Sequence, residues 1–120
     1  MKRAITLILL LALVGCAHSD PWTKRDTVLQ LVTTAAIACD AWSTTKIQYY
    51  PGISEGGPIA RKFLGDQPST SGTYQYMATA AISSYLISRA LPAKWRPFWQ
   101  VVHAYDHGSA CSSNISVMNL

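Results

Sequence analysis

Three segments of the chain place hydrophobic residues at the spacing of an amphipathic helix. The first runs from about Thr27 to Lys46, after Asp26, a suitable residue for a helix N-terminus. A more polar stripe lies on a face roughly 100° away. The apolar stripe contains Val28, Leu31, Val32, Ala35, Cys39 and Trp42, and the polar stripe contains Thr33, Ile37, Asp40 and Thr44.

Two further helices follow. The second is predicted from about Thr73 to Leu91, directly before Pro92. The third begins at Pro97, since proline suits the first turn of a helix, and runs to about Ala110 or beyond. Its apolar stripe contains Phe98, Val101, Val102 and Tyr105, and its other faces carry His103, Asp106 and His107. The sequence therefore predicts an all-α fold, a small bundle of three helices.

A long segment rich in glycine and proline, from Gln48 to Ser71, connects the first and second predicted helices. A connection of that length without structure of its own is uncommon in a compact domain and is often functional. We expect a surface for a partner here, with Tyr49 and Tyr50 as its aromatic residues. The segment contains Pro51, Gly52, Gly56, Gly57, Pro58, Gly65 and Pro68.

The N-terminal segment has the pattern of a secretory signal peptide. Met1-Lys2-Arg3 is a short basic region, and the apolar run from Ala4 to Val14 is too short to span a bilayer. The run ends in Leu13-Val14-Gly15-Cys16, which resembles the lipobox of bacterial lipoproteins. The resemblance implies cleavage before Cys16 and its acylation with palmitate-type chains, two or more of which hold a protein stably on a membrane. The alternative is an uncleaved hydrophobic anchor with an incidental cysteine.

This interpretation divides the chain into a lipoprotein signal peptide (residues 1–15), a lipid anchor and tether (16–26) and a helical domain (27–120). The protein would face the periplasm from a membrane of the bacterial cell envelope. In the enteric lipoproteins that the lipobox resembles, aspartate directly after the cysteine retains the protein at the inner membrane. Ala17 stands there in this chain, which slightly favours the outer membrane.

Composition narrows the classes of partner. Ten lysines and arginines against six acidic residues give a net charge of +4, and removal of Lys2 and Arg3 leaves eight against six, or +2. No basic stripe remains to follow a phosphate backbone, so nucleic acid is not a predicted partner. Charged residues are 13% of the chain and hydrophobic residues 49%, which excludes disorder over the whole length.

The same composition leaves two arrangements at the membrane open. One is a lipid-anchored bundle that lies on or partly in the membrane. The other is a multi-span protein with a buried polar centre, for which Ala80 and Ser84 have the small-residue spacing of membrane helix packing. The first is favoured, because an acidic residue such as Asp40 is costly at the middle of a bilayer.

Two cysteines, Cys39 and Cys111, remain once Cys16 is assigned to the lipid. In an oxidising compartment they could form a disulfide that closes a loop of about seventy residues, worth roughly 4 kcal/mol in the loop-entropy model. The alternative is two small buried apolar side chains. The sequence leaves both open.

Two histidines are the main candidates for chemistry. His103 and His107 lie four residues apart on one helix face, with Asp106 beside them, and this spacing suits two ligands of one zinc ion. A third ligand would come from Asp40, Glu55 or Asp106. The alternative is that these polar residues satisfy one another inside the bundle. The chain has no nucleophile elbow and no P-loop, and no cofactor is predicted.

Four short motifs and one tyrosine follow one another along the chain: Trp22-Thr23-x-x-Asp26, Asp40-x-x-x-Thr44, Glu55-x-x-Pro58, Leu64-Gly65-x-x-Pro68 and Tyr74. With Asp106 and Asn114 near the C-terminus, they resemble those of a group of short bacterial and phage membrane-associated helical proteins. The resemblance implies a polar centre shared between helices, made by Asp40, Thr44, Glu55, Arg61 and Asp106. Gly57 departs from the pattern, since it replaces a loop asparagine.

Two functions of different class follow from these observations. The first is a lipid-anchored envelope protein that acts as a non-catalytic binding or structural module, for example a prophage-encoded protein of exclusion or envelope modification. Its partners would be the membrane, through the lipid on Cys16 and through hydrophobic helices, and an envelope protein. The second is a small metal-assisted hydrolase at the membrane that uses His103, His107 and Asp40 or Glu55.

Overall fold

The structure, a computed structural model, describes residues 20–120. The predicted signal peptide, the lipobox with Cys16, and Ala17 lie outside the described residues. A 3-10 turn at Ile47–Tyr49 follows the first of four α-helices, which are α1 (Lys24–Thr44), α2 (Pro58–Leu64), α3 (Thr70–Ala90) and α4 (Arg96–Met118). Residues 20–120 contain no β-strand, so the all-α prediction is confirmed.

Within residues 20–120 the predicted count of three helices is corrected to four, because the glycine- and proline-rich segment contains α2. This helix begins at Pro58, directly after Gly57, with proline in its first turn. It ends at Gly65, whose N–H bonds to the Arg61 carbonyl at 2.8 Å and whose φ of 77° lies in the left-handed region. Seven residues between glycines are too short a run for helical periodicity to reveal.

Side-chain caps fix the starts of the two longest predicted helices. Thr23 and Asp26 form a capping box, in which each side chain accepts from the other residue's backbone N–H. This pair starts α1 at Lys24, three residues before the predicted beginning of the helical domain. Ser69 caps α3 by accepting from the N–H of Gly72.

Helices α1 and α4 run parallel and pack closely along their length. Thr33 Oγ1 donates to the carbonyl of Gln100 at 2.9 Å. Further along both helices, Cys39 and Cys111 form a disulfide with their Cα atoms 5.7 Å apart. The sequence separation of 72 residues makes this a covalent link between the first and last helices.

Helix α3 runs antiparallel to α4 and approaches it through small residues. Trp99 Nε1 donates to the carbonyl of Ser84 at 3.2 Å, and Arg96 Nε donates to the carbonyl of Ser88 at 3.1 Å. Both serines are buried. Small side chains at these positions let the two helices come close enough for such contacts.

The apolar stripe of α1 faces away from the bundle. Val28 and Leu31 are 58% and 65% exposed, whereas Thr33 and Asp40 of the polar stripe are 0% and 5% exposed. A surface helix of a globular protein ordinarily has the opposite orientation. The outer faces of the other long helices are also apolar, with Ile82, Tyr85 and Leu86 exposed on α3 and Phe98, Val101, Val102 and Tyr105 exposed on α4.

The interior is held by paired polar groups. Arg96 is buried and lies 3.4 Å from the buried carboxylate of Asp26. It also donates to the carbonyls of Asp20, Pro21, Ser88 and Leu91. Burial alone would raise the pKa of Asp26, but hydrogen bonds from Thr23, Arg25 and Arg96 outweigh it and hold the pKa below its ordinary 3.8.

Among residues 20–120, no helix is both long enough and apolar enough to cross a membrane. The three long helices have 21, 21 and 23 residues.

Candidate functional site

The polar residues singled out from the sequence lie around one cavity of about 550 Å³. Its walls come from α1, α3 and α4, and residues 55–60, which include the start of α2, lie over it. The cavity has an apolar side, formed by Met77, Ala80, Ala110 and residues of α2, and a side of titratable groups. The titratable side chains are Asp40, Glu55, Tyr76, His103, Asp106 and His107.

Asp40 and His107 form the tightest contact of the site. His107 Nδ1 lies 2.7 Å from Asp40 Oδ2, and the two side chains are only 12% and 7% exposed. The hydroxyl of Thr44 donates to the other carboxylate oxygen at 3.1 Å. Asn114 Nδ2 donates in turn to Thr44 Oγ1 at 3.2 Å. A carboxylate that holds one ring nitrogen of histidine fixes the orientation of the ring and leaves the other nitrogen free for chemistry.

His103 lies one helical turn before His107 and has a different environment. Its ring packs on Trp99 with centroids 4.1 Å apart, and its buried Nδ1 has no hydrogen-bond partner among the described residues. Burial lowers its pKa from the ordinary 6.5, and the neighbouring His107 lowers it further. His103 is therefore neutral at pH 7, beside a histidine that is paired with a carboxylate.

Glu55 is buried and is held by backbone contacts in the segment before α2. Its Oε1 accepts from the N–H of Gly57 at 2.8 Å, and its carbonyl accepts from Arg61 Nε at 2.7 Å. A Cβ atom at Gly57 would lie 3.1 Å from Glu55 Oε1. The close approach of this carboxylate to the backbone gives a physical reason for glycine at this position.

The carboxylates around the cavity act electrostatically on the hydroxyl group of one tyrosine, Tyr76. Burial raises the pKa of Tyr76 above its ordinary value of 10.0, and the carboxylates of Glu55, Asp40 and Asp106 raise it further. Tyr76 therefore remains protonated at neutral pH. No lysine or arginine lines the cavity within the described residues.

Most of the predicted polar centre comes together. Asp40, Glu55, His103, Asp106 and His107 line the cavity, and Thr44 lies behind them on Asp40. Arg61 is the exception, because its half-exposed side chain points to Asp66, with Nε 3.1 Å from the carboxylate. Sequence reasoning missed Tyr76, although it lies next to Met77 on the stripe of α3 that is buried at Thr73, Met77, Ser84 and Ser88.

The candidate zinc ligands are not brought together as a set. Residues 20–120 contain no group of three or more histidine, cysteine, aspartate or glutamate side chains that could hold a metal ion. The rings of His103 and His107 stack with centroids 6.1 Å apart, and Nδ1 of His107 is already bonded to Asp40. The alternative in which polar residues satisfy one another describes Asp40, Thr44 and His107 better.

In comparisons with known proteins, no family model, no curated protein and no solved structure matches this chain.

Proposed function

We propose that this chain is a lipid-anchored protein of the bacterial envelope whose helical domain lies on or partly in the membrane. In this proposal the domain is a non-catalytic binding or structural module. The observation that supports it is the reversed orientation of the helices, with polar residues inside and apolar residues outside. Large exposed apolar areas in a protein of this size are typical of surfaces that contact lipid or another protein.

A surface for an envelope partner is supported by the segment over the cavity. Ile59 and Phe63 of α2 are 67% and 71% exposed, and Tyr49 of the preceding turn is 68% exposed. Aromatic and aliphatic side chains of this kind are the usual anchors of protein interfaces. The partner would therefore contact α2 and the turn before it, close to the cavity.

Fractionation of cells tests the anchor. Cells that produce the protein and its Cys16→Ser variant are lysed, and their membranes are washed with carbonate. We expect the wild type to stay in the membrane and the variant to be released, because acyl chains on Cys16 supply the stable attachment. If the variant also stays, its mass shows whether the N-terminal apolar segment is uncleaved and holds it; a cleaved variant that stays is held by its apolar helix faces. Release of the wild-type protein would overturn the proposal.

A substitution at Ala17 tests whether the protein is sorted to the outer or the inner membrane. We expect the wild type in the outer-membrane fraction of a density gradient and the Ala17→Asp variant in the inner-membrane fraction. An identical distribution of both proteins would contradict the proposed sorting signal without affecting the proposed anchor.

A small hydrolase at the membrane is the second candidate, and the Asp40–His107 contact favours it. A histidine held in this way can take a proton from water or a hydroxyl group, and this acid–base role does not require a cluster of metal ligands. The test is hydrolysis of short-chain nitrophenyl esters by the purified protein. This candidate requires turnover that falls at least 100-fold in both the His107→Gln and Asp40→Asn variants, about the minimum contribution of a general base. Turnover that is absent, or equal in the variants, would reject it.

A further inference from the structure

One end of the bundle, where α1 begins, α3 ends and α4 begins, collects basic and aromatic side chains. We refer to Trp22, Lys24, Arg25, Lys94, Trp95 and Phe98 as the basic–aromatic end. Arg25, Trp95 and Phe98 are 58%, 54% and 65% exposed, and both lysines are exposed. Tryptophan is concentrated here, since Trp99 is also near the start of α4 and only Trp42 lies toward the far end. None of these residues lines the cavity, and none has a part in the hydrolysis considered above.

Charge is distributed unevenly between the two ends. The basic–aromatic end and its neighbours Arg89 and Arg96 provide five cations against two carboxylates, Asp20 and Asp26. Asp26 is fully buried and paired with Arg96, so the charge that reaches the surface is predominantly positive. The remainder of the described chain has three cations against four carboxylates. The basic–aromatic end of the bundle is therefore more positively charged than the rest of the described chain.

Cations and rings are in direct contact at this end. The guanidinium group of Arg89 lies 5.1 Å from the centre of the Trp22 ring, and that of Arg96 lies 5.6 Å from it. The Trp22 ring also meets Tyr85 edge to face, with centroids 5.9 Å apart. These contacts hold Arg89 near the surface without neutralising its charge. Aromatic rings beside basic side chains suit the boundary between lipid headgroups and acyl chains.

The chain enters the bundle at the same end. Arg96 donates to the carbonyls of Asp20 and Pro21 at 2.9 and 3.0 Å, and the Asp20 carboxylate accepts from the N–H of Ala93 at 2.8 Å. Cys16 precedes Asp20 by four residues, and four residues span at most about 14 Å. An acylated Cys16 would therefore hold this end, and no other, against the headgroups.

We propose that the basic–aromatic end binds anionic phospholipid headgroups and thereby orients the bundle on the membrane. The proposal rests on the proposed lipid anchor for the position of this end, whereas its positive charge and aromatic rings are independent of that anchor. Each lysine or arginine close to an anionic surface strengthens attachment by about fivefold at moderate ionic strength. Reversal of two of these charges should then weaken attachment by more than about 25-fold.

The experiment uses the full chain as cells mature it, purified in detergent and reconstituted into vesicles. One set of vesicles is neutral phosphatidylcholine, and the other contains phosphatidylglycerol as about one third of the lipid. Both carry a phospholipid brominated near the headgroup, which quenches tryptophan fluorescence at short range. A Trp42→Phe background removes the one tryptophan that lies toward the far end, so that the signal reports on the basic–aromatic end.

We expect stronger quenching in the anionic vesicles than in the neutral ones, with the difference lost at 0.5 M NaCl because salt screens exposed charges. Lys24→Glu/Lys94→Glu should abolish the difference. The matched control Lys46→Glu/Lys62→Glu changes charge by the same amount elsewhere and should retain it. Equal quenching in both vesicles, or an equal loss in both double variants, would overturn the proposal.

The mass of the purified protein reports on the anchor separately. Acylated protein whose quenching does not depend on anionic lipid refutes this inference and leaves the proposed function intact. If the protein lacks acyl chains, the same two vesicles are used in a flotation assay. Binding to the anionic vesicles that falls more than about 25-fold in Lys24→Glu/Lys94→Glu, by the same charge dependence, would then support the inference although the anchor has failed. If unacylated protein binds the neutral and anionic vesicles equally, both this inference and the proposed lipid anchor are rejected.

Discussion

His107 Nδ1 lies 2.7 Å from Asp40 Oδ2 and ties α4 to α1 in the interior of the bundle. Thr44 is the other side chain that bonds the Asp40 carboxylate. The contact is therefore a structural link between the two helices, and both of its residues line the cavity.

Loss of the histidine should destabilise the fold. We expect His107→Ala to lower the free energy of unfolding by about 2–4 kcal/mol, since it leaves a buried carboxylate with one hydroxyl donor. Urea unfolding monitored by circular dichroism measures the change. Asp106→Ala, one residue away on an exposed position, is the control and should change stability by less than about 0.5 kcal/mol. Equal effects of the two substitutions would show that the contact is not specific.

The disulfide between Cys39 and Cys111 should contribute strongly to stability. Reduction is expected to lower the free energy of unfolding by about 4 kcal/mol, because a long loop in the unfolded chain is released. Denaturant unfolding with and without a reducing agent measures this effect. The Cys39→Ser/Cys111→Ser variant should be insensitive to the reducing agent. Reaction of both cysteines with a thiol reagent in the folded, untreated protein would contradict the prediction.

Acid should weaken the bundle through Asp26. Its folded pKa lies below the unfolded value near 3.8, so the folded state favours the charged form. The resulting stability is present above the unfolded pKa and is lost as pH falls through the folded pKa. Urea unfolding between pH 2 and 6 should show this loss. The Asp26→Asn variant should have a smaller slope of the free energy of unfolding against pH. A slope that is unchanged in the variant would assign the acid sensitivity to other carboxylates.

Arg96 is the partner that Asp26 requires. Replacement by methionine, which is similar in length, should cost about 3–5 kcal/mol because a buried carboxylate loses its counter-charge. The double variant Asp26→Asn/Arg96→Met should be less destabilised than the sum of the two single variants. Thermal unfolding of all four proteins measures this coupling, and strictly additive effects would contradict the paired arrangement.

Protonation of His103 should work against folding. Its folded pKa lies below the unfolded 6.5, so the unfolded chain binds more protons in the window below 6.5. Stability is therefore full above pH 6.5 and decreases as pH falls through that window to the folded pKa. An NMR titration of the ring protons should give a pKa below 6.5 for His103. A value at or above 6.5 would show that the ring is more hydrated than its packing on Trp99 indicates.

The positions of the long helices could be predicted because local signals define them. Pro97 marks the first turn of α4, and Pro92 follows the end of α3 at Ala90. Asp26 marks the start of α1, although its capping role with Thr23 moved the first residue to Lys24. Helix α2 was missed because its seven residues provide less than two full periods of a helical pattern.

The buried faces could not be predicted from periodicity alone. The spacing of Val28, Leu31 and Val32 shows that they share a face, but it does not show what that face contacts. Burial of Thr33 and Asp40 instead depends on partners contributed by α4, namely the Gln100 carbonyl and His107. The same long-range dependence explains why Asp40 and His107 were recognised as candidates while their direct contact was left open.

Arg61 shows a related limit at the candidate site. The resemblance implies that Arg61 shares a polar centre with Glu55, and the structure does bring its Nε to the Glu55 carbonyl. The direction of the side chain is set by Asp66, which follows Gly65 and its left-handed turn. That turn depends on where α2 ends, which the sequence pattern had not defined.

The parallel pairing of α1 and α4 has a consequence for the order of folding. The helix that satisfies the buried groups of α1 is the last of the four to be synthesised, and Cys39 must wait for Cys111. The interior of α1 is therefore completed only when the end of the chain is made, and the contacts between helices are dominated by this one long-range pairing, a kind of contact that slows folding. Until α4 is synthesised, the polar face of α1 lacks its partners for Thr33 and Asp40, and Cys39 is an unpaired thiol. This chain would therefore depend on holding chaperones and on correct thiol oxidation more than a bundle of sequential helical hairpins would.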